Sequence, residues 1–367
     1  MQARAIGIAV IGAGRWGNHL VRNFSQHPDA HLVALVDSQR ERLEQLTHKY
    51  GLAANGVVVT REWMTVIQRS DVDAVAIATP ASTHADLIRS ALEHDKHVLV
   101  EKPITLDAHQ ALELCDLAQS VQRQLVVDHT YLFNAAITKG QQIVQQRQLG
   151  TPRYGYATRT HLAPVRHDVD ALWDLAIHDI SIFCHWLNAY PTTVQAKGKV
   201  WLQPGQPEDR GGEAIAPLFP NGLSDLVWVT LTYPNNIQIT LHLCWANPDK
   251  QRRLCLVGDK GTLVFDELRA DAPLVLNAGA FERHASPSGT HFEPIQPSTQ
   301  TIVLEPVEPL RHVCDHFLDC VRRNRPSNLS SGQLGAKFVA ILTAISESLN
   351  QGGIPITIPN RPVRKLR

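Results

Sequence analysis

Ile6-Gly7-Ile8-Ala9-Val10-Ile11-Gly12-Ala13-Gly14-Arg15-Trp16-Gly17 decides how this chain is read. An apolar, β-branched run leads into Gly12-x-Gly14-x-x-Gly17, and the amphipathic stretch Trp16 to His27 follows at once. The pattern is strand, tight turn, helix. The first glycine permits the turn, the second lets the backbone approach a pyrophosphate, and the third lets the helix pack closely on the strand. Free N–H groups at the helix start, around Arg15 and Trp16, then receive the phosphate charge. Twenty residues beyond Gly17, at the end of the next strand-like run (Leu32 to Val36), stands Asp37. A carboxylate there accepts hydrogen bonds from an adenosine ribose, which lifts a glycine-rich turn to a dinucleotide site. An ionised Asp37 bonds a free 2′-hydroxyl and repels a 2′-phosphate, so NAD is expected over NADP. Arg40 is near enough in sequence to bind that phosphate instead, or to be a solvated arginine at a helix start.

The same alternation continues outward. Ala74 to Ala78, Val98 to Val100 and Leu125 to Val127 are further strand-like runs, and helices are expected at Arg40 to Tyr50, Ser82 to Glu93 and Asp107 to Arg123, with Ser82 and Asp107 as N-caps. Strand–helix alternation of this kind builds a doubly wound parallel sheet, a Rossmann domain over residues 1–127. From Asp128 the rhythm changes: a helix at Ala135 to Gln148, another through Ala171 to Leu187, then strands at Leu226 to Tyr233, Ile237 to Trp245, Arg253 to Val257 and Thr262 to Phe265. Residues 128–367 are therefore expected to form an α+β domain with a largely antiparallel sheet that carries the substrate pocket. Its closing helices, Arg311 to Arg323 and Gly335 to Leu349, are expected near the domain junction. The Pro- and Gly-rich stretch Trp201 to Asn221 reads as an exposed excursion.

Composition bounds the partners. The 35 basic and 35 acidic residues cancel, so no bulk field attracts nucleic acid or an anionic membrane. Six scattered cysteines (115, 184, 244, 255, 314 and 320) have neither zinc spacing nor disulfide density and read as reduced core thiols of a cytoplasmic protein. No run approaches the roughly 18 apolar residues of a spanning helix. The seven tryptophans read mostly as core. No metal spacing, GxSxG or P-loop is present, so hydroxyl activation is expected from side chains and acyl or phosphoryl transfer is not.

Two further clusters carry chemistry. Lys102 follows the run Val98 to Val100, at the carboxyl edge where open α/β sheets bind ligands, and Pro103 stops the strand there. An ammonium at that edge can stabilise charge on a reacting oxygen, or be an ordinary surface lysine. Asp174 and His178 are four apart on an expected helix and so share one face. That lets the aspartate orient an imidazole base, or the two simply pair at a surface.

Ala78-Thr79-Pro80-Ala81-Ser82-Thr83-His84, Lys96-His97-Val98-Leu99-Val100-Glu101-Lys102-Pro103 and Trp173-Asp174-Leu175-Ala176-Ile177-His178, with the fingerprint, resemble the glucose-fructose oxidoreductase / inositol dehydrogenase / MocA (Gfo/Idh/MocA) family. Val257-Gly258-Asp259-Lys260-Gly261-Thr262-Leu263 resembles its late sheet turn. The resemblance implies that Lys102, Asp174 and His178 line a substrate pocket beside the nicotinamide, with His178 as base. It also implies cofactor contacts from Thr79, Pro80 and His84. Glu101 then accepts from the nicotinamide ribose or pairs with a surface cation, and Tyr131 walls the site or packs as an interdomain aromatic. Arg166 reaches a polar substrate or belongs to a solvated loop. The chain departs from the family pattern at Ala176, where relatives carry glycine, and at Ser181, where many carry an aspartate that neighbouring Asp179 would have to replace.

The expected reaction is reversible oxidation of a carbinol on a sugar. Val127 to Thr130, Leu172 to Ser181 and Arg252-Arg253 resemble bacterial nucleotide-sugar dehydrogenases, which suggests UDP-N-acetylglucosamine or its uronate, oxidised at C3. A free-sugar or inositol dehydrogenase is the alternative within the family, and a dinucleotide-binding sensor the alternative outside it. The second domain has too few helices to cover both sheet faces, so the alternating apolar residues of Val227 to Leu231 and Ile237 to Leu241 are expected between subunits of a homodimer or homotetramer.

Overall fold

The computed structural model describes residues 4–162, 164–205, 218–286, 289–305 and 307–359. The described residues fall into two compact units: those in 4–133 with 307–340, and those in 134–305 with 341–359. The first unit thus runs a few residues past 127 and takes in the helix at 309–323, which the sequence reading had placed in the second domain.

In the first unit the order is β1 (Ile6–Ile11), α1 (Arg15–Ser25), β2 (Ala30–Val36), α2 (Arg40–Tyr50), β3 (Val58–Thr60), α3 (Trp63–Ile67), β4 (Ala74–Ile77), α4 (His84–Glu93), β5 (His97–Glu101), α5 (Ala108–Ser120) and β6 (Leu125–Asp128). The six strands form one parallel sheet in the order β3-β2-β1-β4-β5-β6. All six β1 residues are buried, as both covered faces of a parallel sheet require. Chain order reverses between β1 and β4, and ligands of open α/β sheets bind at that switch point. The Gly12 N–H bonds the Val36 carbonyl at 2.7 Å, and the Ala78 N–H bonds that of Ile11 at 2.7 Å, so the fingerprint turn sits on the switch.

Asp107 caps α5 through the Gln110 N–H, as expected. Ser82 caps nothing. Residues Ala81–Thr83 form a 3-10 turn, and α4 begins only at His84.

The second unit carries α6 (Ala135–Gln145), β7 (Pro152–Leu162), a π-helical turn at Leu172–Ala176, α7 (Ile177–Leu187), β8 (Thr193–Lys199), β9 (Leu226–Thr232), β10 (Gln238–Cys244), β11 (Ala246–Gly258), β12 (Gly261–Asp266), β13 (Leu274–Ala278), β14 (Phe281–Ser286), β15 (Gly289–Pro294) and β16 (Ser298–Thr301). Late in the chain come α8 (Pro309–Arg323), which packs on α1 in the first unit, α9 (Gly332–Asn350) and β17 (Ile356–Thr357). A nine-stranded sheet runs β16-β13-β12-β11-β7-β10-β9-β8-β17, antiparallel except where β10 lies parallel to β7.

The alternating residues Val227, Val229, Leu231, Ile239 and Leu241 are buried inside this unit, which corrects their expected place between subunits. They belong to the face that α7 covers: a Cβ on Gly155 would meet both Ile239 and Phe183. The opposite face shows Trp228, 51% exposed and stacked on His242 with ring centroids 3.8 Å apart, beside Tyr154 and Tyr156.

All six cysteines are buried and none is in a disulfide. Of the seven tryptophans only Trp173, Trp186 and Trp245 are buried, fewer than expected, because Trp16 lies in an exposed helix start and Trp228 on an outer sheet face. The middle of the expected excursion, residues 206–217, lies outside the described residues. Among the described residues no helix is long and apolar enough to cross a membrane.

Candidate active site

Two of the three fingerprint glycines of the first unit, Gly12 and Gly17, are irreplaceable for steric reasons. Gly12 has φ +104°, and a Cβ on Gly17 would lie 1.7 Å from the Gly12 carbonyl oxygen. Gly14 is the N-cap of α1 without a side-chain cap, and the first turn holds no acidic residue. An anion is therefore the natural partner of that helix end, and the site fits a pyrophosphate. Arg15 and Trp16 are exposed in this first turn.

Asp37 is buried and accepts the Ala13 N–H at 2.6 Å and the Gln39 N–H at 2.8 Å, which aims its carboxylate at the turn. Arg40 does not approach it, because it bonds Glu44 at 2.7 Å. Arg42 does, with Nη1 3.9 Å from Asp37 Oδ2 and the same distance from where a Gly14 Cβ would be. Two residues along a helix turn the side chain by about 200°, so of two nearby arginines only one can face the turn. Of the two readings that the sequence left open for Arg40, the solvated arginine at a helix start is the one observed.

Beyond β4, the Thr79 and Thr83 hydroxyls bond each other at 2.7 Å, and Thr83 donates to the Pro80 carbonyl at 2.8 Å. His84 is 1% exposed, its ring nitrogens 2.8 Å from the Pro103 carbonyl oxygen and 3.0 Å from that of Thr79. It ties the loop after β4 to the loop after β5. Lys102, half-buried, opens that second loop through a cis peptide bond to Pro103.

Glu101 and Asp128 are register partners at the ends of β5 and β6, both buried. Burial and the neighbouring Asp128 push the Glu101 carboxyl well above the usual carboxylate range, against the Lys102 charge. Burial raises Asp128 as well. His129 is drawn down to about 3 by burial and by Lys102, and its ring meets Phe338 edge-on. Tyr131 is half-buried in the tight turn Thr130–Phe133.

In the second unit the expected single helix through Ala171 to Leu187 is broken into two geometries. Asp174 lies in the π-helical turn and His178 at the second residue of α7. A π turn widens the spiral, so the spacing of four no longer guarantees a shared α-helical face. Trp173, fully buried, anchors the turn by donating from Nε1 to Ser346 at 2.9 Å, while Asp170 accepts the Trp173 N–H at 3.0 Å. Burial raises Asp170 to about 7.

Asp174 accepts from Arg166 at 3.2 Å, and the same guanidinium grips Asp168 at 2.9 and 2.6 Å. Arg252 faces Glu267 at 3.2 and 3.3 Å. Asp179 is fully buried and bonded by Arg159 at 2.6 and 3.1 Å, so it does not stand in for the aspartate that Ser181 lacks. Ser181 bonds the His178 carbonyl at 2.7 Å. Ala176 has ordinary helical angles, so replacing glycine there costs no strain.

Sequence reading missed His161 on β7, which lies close enough to Asp174 and Arg252 for both charges to act on it, while burial holds its pKa down. Its only signal was a polar residue on an alternating strand.

Comparison with known proteins agrees with this anatomy. A family model described as an oxidoreductase family with an NAD-binding Rossmann fold matches residues 6–129, and the GFO/IDH/MocA C-terminal domain matches residues 137–264. The scyllo-inositol 2-dehydrogenase (NAD(+)) of Bacillus subtilis is 27% identical over 86% of this chain and 86% of its own. The UDP-N-acetylglucosamine 3-dehydrogenase of Acidithiobacillus ferrooxidans is 38% identical over 35% of this chain and 40% of its own. Among solved structures, the WlbA dehydrogenase of Bordetella pertussis, in complex with NADH and UDP-GlcNAcA, superposes with a TM-score of 0.75 over 98% of this chain and 100% of that one, at 17% identity; at that identity the likeness is one of fold.

Proposed function

The chain belongs to the Gfo/Idh/MocA oxidoreductase family, as an NAD-binding dehydrogenase of CH–OH groups, and from that premise we propose that it oxidises a carbinol on a sugar or cyclitol. The observation that carries this reading is the placement of Lys102 at the same carboxyl edge of the Rossmann sheet as Gly12, Gly17 and Asp37. NAD bound there supplies the hydride acceptor. The uncapped start of α1 receives its pyrophosphate and Asp37 its adenosine ribose, while the loops after β4 and β5, joined by His84, hold their place around it.

Lys102 donates to the reacting oxygen and stabilises the charge that develops there as the C–H bond breaks. His178 takes the hydroxyl proton on its imidazole, and Asp174, itself held by Arg166, orients the substrate hydroxyls. A neutral polyol suits these residues of the second unit. The cations that would grip a diphosphate, Arg166 and Arg252, already face Asp168, Asp174 and Glu267.

A nucleotide sugar is the second reading, favoured by the 38% identity to the UDP-N-acetylglucosamine 3-dehydrogenase. Formation of reduced nicotinamide separates the two when glucose, N-acetylglucosamine, myo- and scyllo-inositol are compared with UDP-N-acetylglucosamine and its uronate. A higher kcat/KM for a free sugar or inositol supports the first reading, and a higher value for a nucleotide sugar the second. Reduction with none of them would remove both.

A further inference from the structure

Glu101 and Asp128 pose an accounting problem. As register partners on adjacent parallel strands they project from the same face of the sheet, 7% and 2% exposed. Thr130 donates to Asp128 Oδ1 at 2.7 Å, yet Glu101 Oε1 and Asp128 Oδ2, both fully buried, meet no donor from the protein. Two ionised carboxylates side by side would each leave an unsatisfied buried oxygen and repel one another. One proton between them removes both costs. Thr130 already stabilises Asp128 as the anion, which leaves the proton to Glu101.

We propose that Glu101 and Asp128 share one proton, a neutral Glu101 carboxyl donating from Oε1 to Asp128 Oδ2, and that the resulting single negative charge positions Lys102. Lys102 directly follows Glu101, its backbone N–H bonds that carboxyl, and its ammonium acts on both acids. The other titratable neighbours are uncharged: His129 is held neutral by burial, and the buried Cys314 thiol on α8 is pushed well above its ordinary value. One carboxylate therefore stands beside one ammonium at the sheet edge. The acid pair consequently acts through Lys102, as positioning residues. Only this catalytic consequence rests on the role proposed for Lys102; the shared proton does not.

Infrared spectroscopy of the whole protein tests the proton directly, at a pH above the value of about 7 where Asp170 ionises. The parent should show the C=O stretch of one protonated carboxyl that shifts in D2O, and the isosteric Glu101→Gln variant should lack it. No such band in the parent would overturn the proposal. Kinetics test the positioning. Either single amide variant, Glu101→Gln or Asp128→Asn, keeps one carboxylate, whereas the double variant keeps none. In the double variant kcat should fall about tenfold or more below either single variant, with KM for NAD moving far less. Equal losses in single and double variants would overturn the positioning role. If the double variant does not fold, kcat of Lys102→Ala in the parent and Glu101→Gln backgrounds decides the same point: non-additive losses support coupling and additive ones overturn it. Should Lys102→Ala keep parental turnover, the catalytic reading of Lys102 fails while the infrared band still reports the shared proton.

Discussion

The His84 imidazole stands 2.8 Å from the Pro103 carbonyl oxygen, and its other nitrogen 3.0 Å from that of Thr79. A residue that the family resemblance linked to the cofactor thus joins the loops after β4 and β5, at 1% exposure. A neutral imidazole donates to one of these carbonyls at a time, so replacing it by alanine leaves one carbonyl to find another donor, at about 1–3 kcal/mol. His84→Ala should raise KM for NAD about tenfold while changing kcat less. Initial-rate kinetics with varied NAD check this, and a fall in kcat alone, with KM unchanged, would place His84 elsewhere in the mechanism.

Cofactor choice follows from two opposed charges at the ribose end. Asp37 disfavours a 2′-phosphate, while Arg42, 3.9 Å away, attracts one. NADH should bind at least several-fold tighter than NADPH, with the gap narrowed in Asp37→Ala and widened in Arg42→Ala. Fluorescence titration measures both ratios, and equal parental affinities would remove Asp37 from this role.

Asp170, which receives the Trp173 N–H at the start of the π turn, gives a pH dependence of stability. Its folded value of about 7 lies above the ordinary 3.8, so the folded state holds this proton more tightly than the unfolded chain does. The stabilisation is complete below 3.8 and is lost as pH rises towards about 7. Thermal unfolding across that window should show the parent losing stability relative to Asp170→Asn. A constant difference between the two would mean that Asp170 does not titrate there.

Self-association, if it uses the large sheet, must use the face opposite α7. There Trp228 stacks on His242 beside exposed Tyr154 and Tyr156. Light scattering at micromolar concentration should show a dimer or tetramer, and Trp228→Glu should shift it towards monomer. A parent that is wholly monomeric would end this expectation.

The Rossmann half was legible because its chemistry is local. Gly12 to Gly17 and Asp37 declare themselves by spacing, α2 spans Arg40–Tyr50 as expected, and the buried strands are continuous apolar runs. What escaped was short or depended on partners far along the chain. Three-residue β3 is too brief for a period, and the π turn keeps the composition of an α-helix while changing its pitch. The task of His84 is set by Pro103, and the pairing of Glu101 with Asp128 by strand register. The alternating apolar residues of β9 and β10 were assigned to a second subunit because alternation shows which residues are buried but not by what.

In the proposed reaction Lys102 and His178 act on the reacting carbinol and not on cofactor binding. The most direct measurement is kcat on the best substrate, alongside the Kd for NADH, in Lys102→Ala and His178→Ala. In each variant kcat should fall about a hundredfold or more, with Kd for NADH within about threefold of the parent. Near-parental kcat in either variant would contradict it.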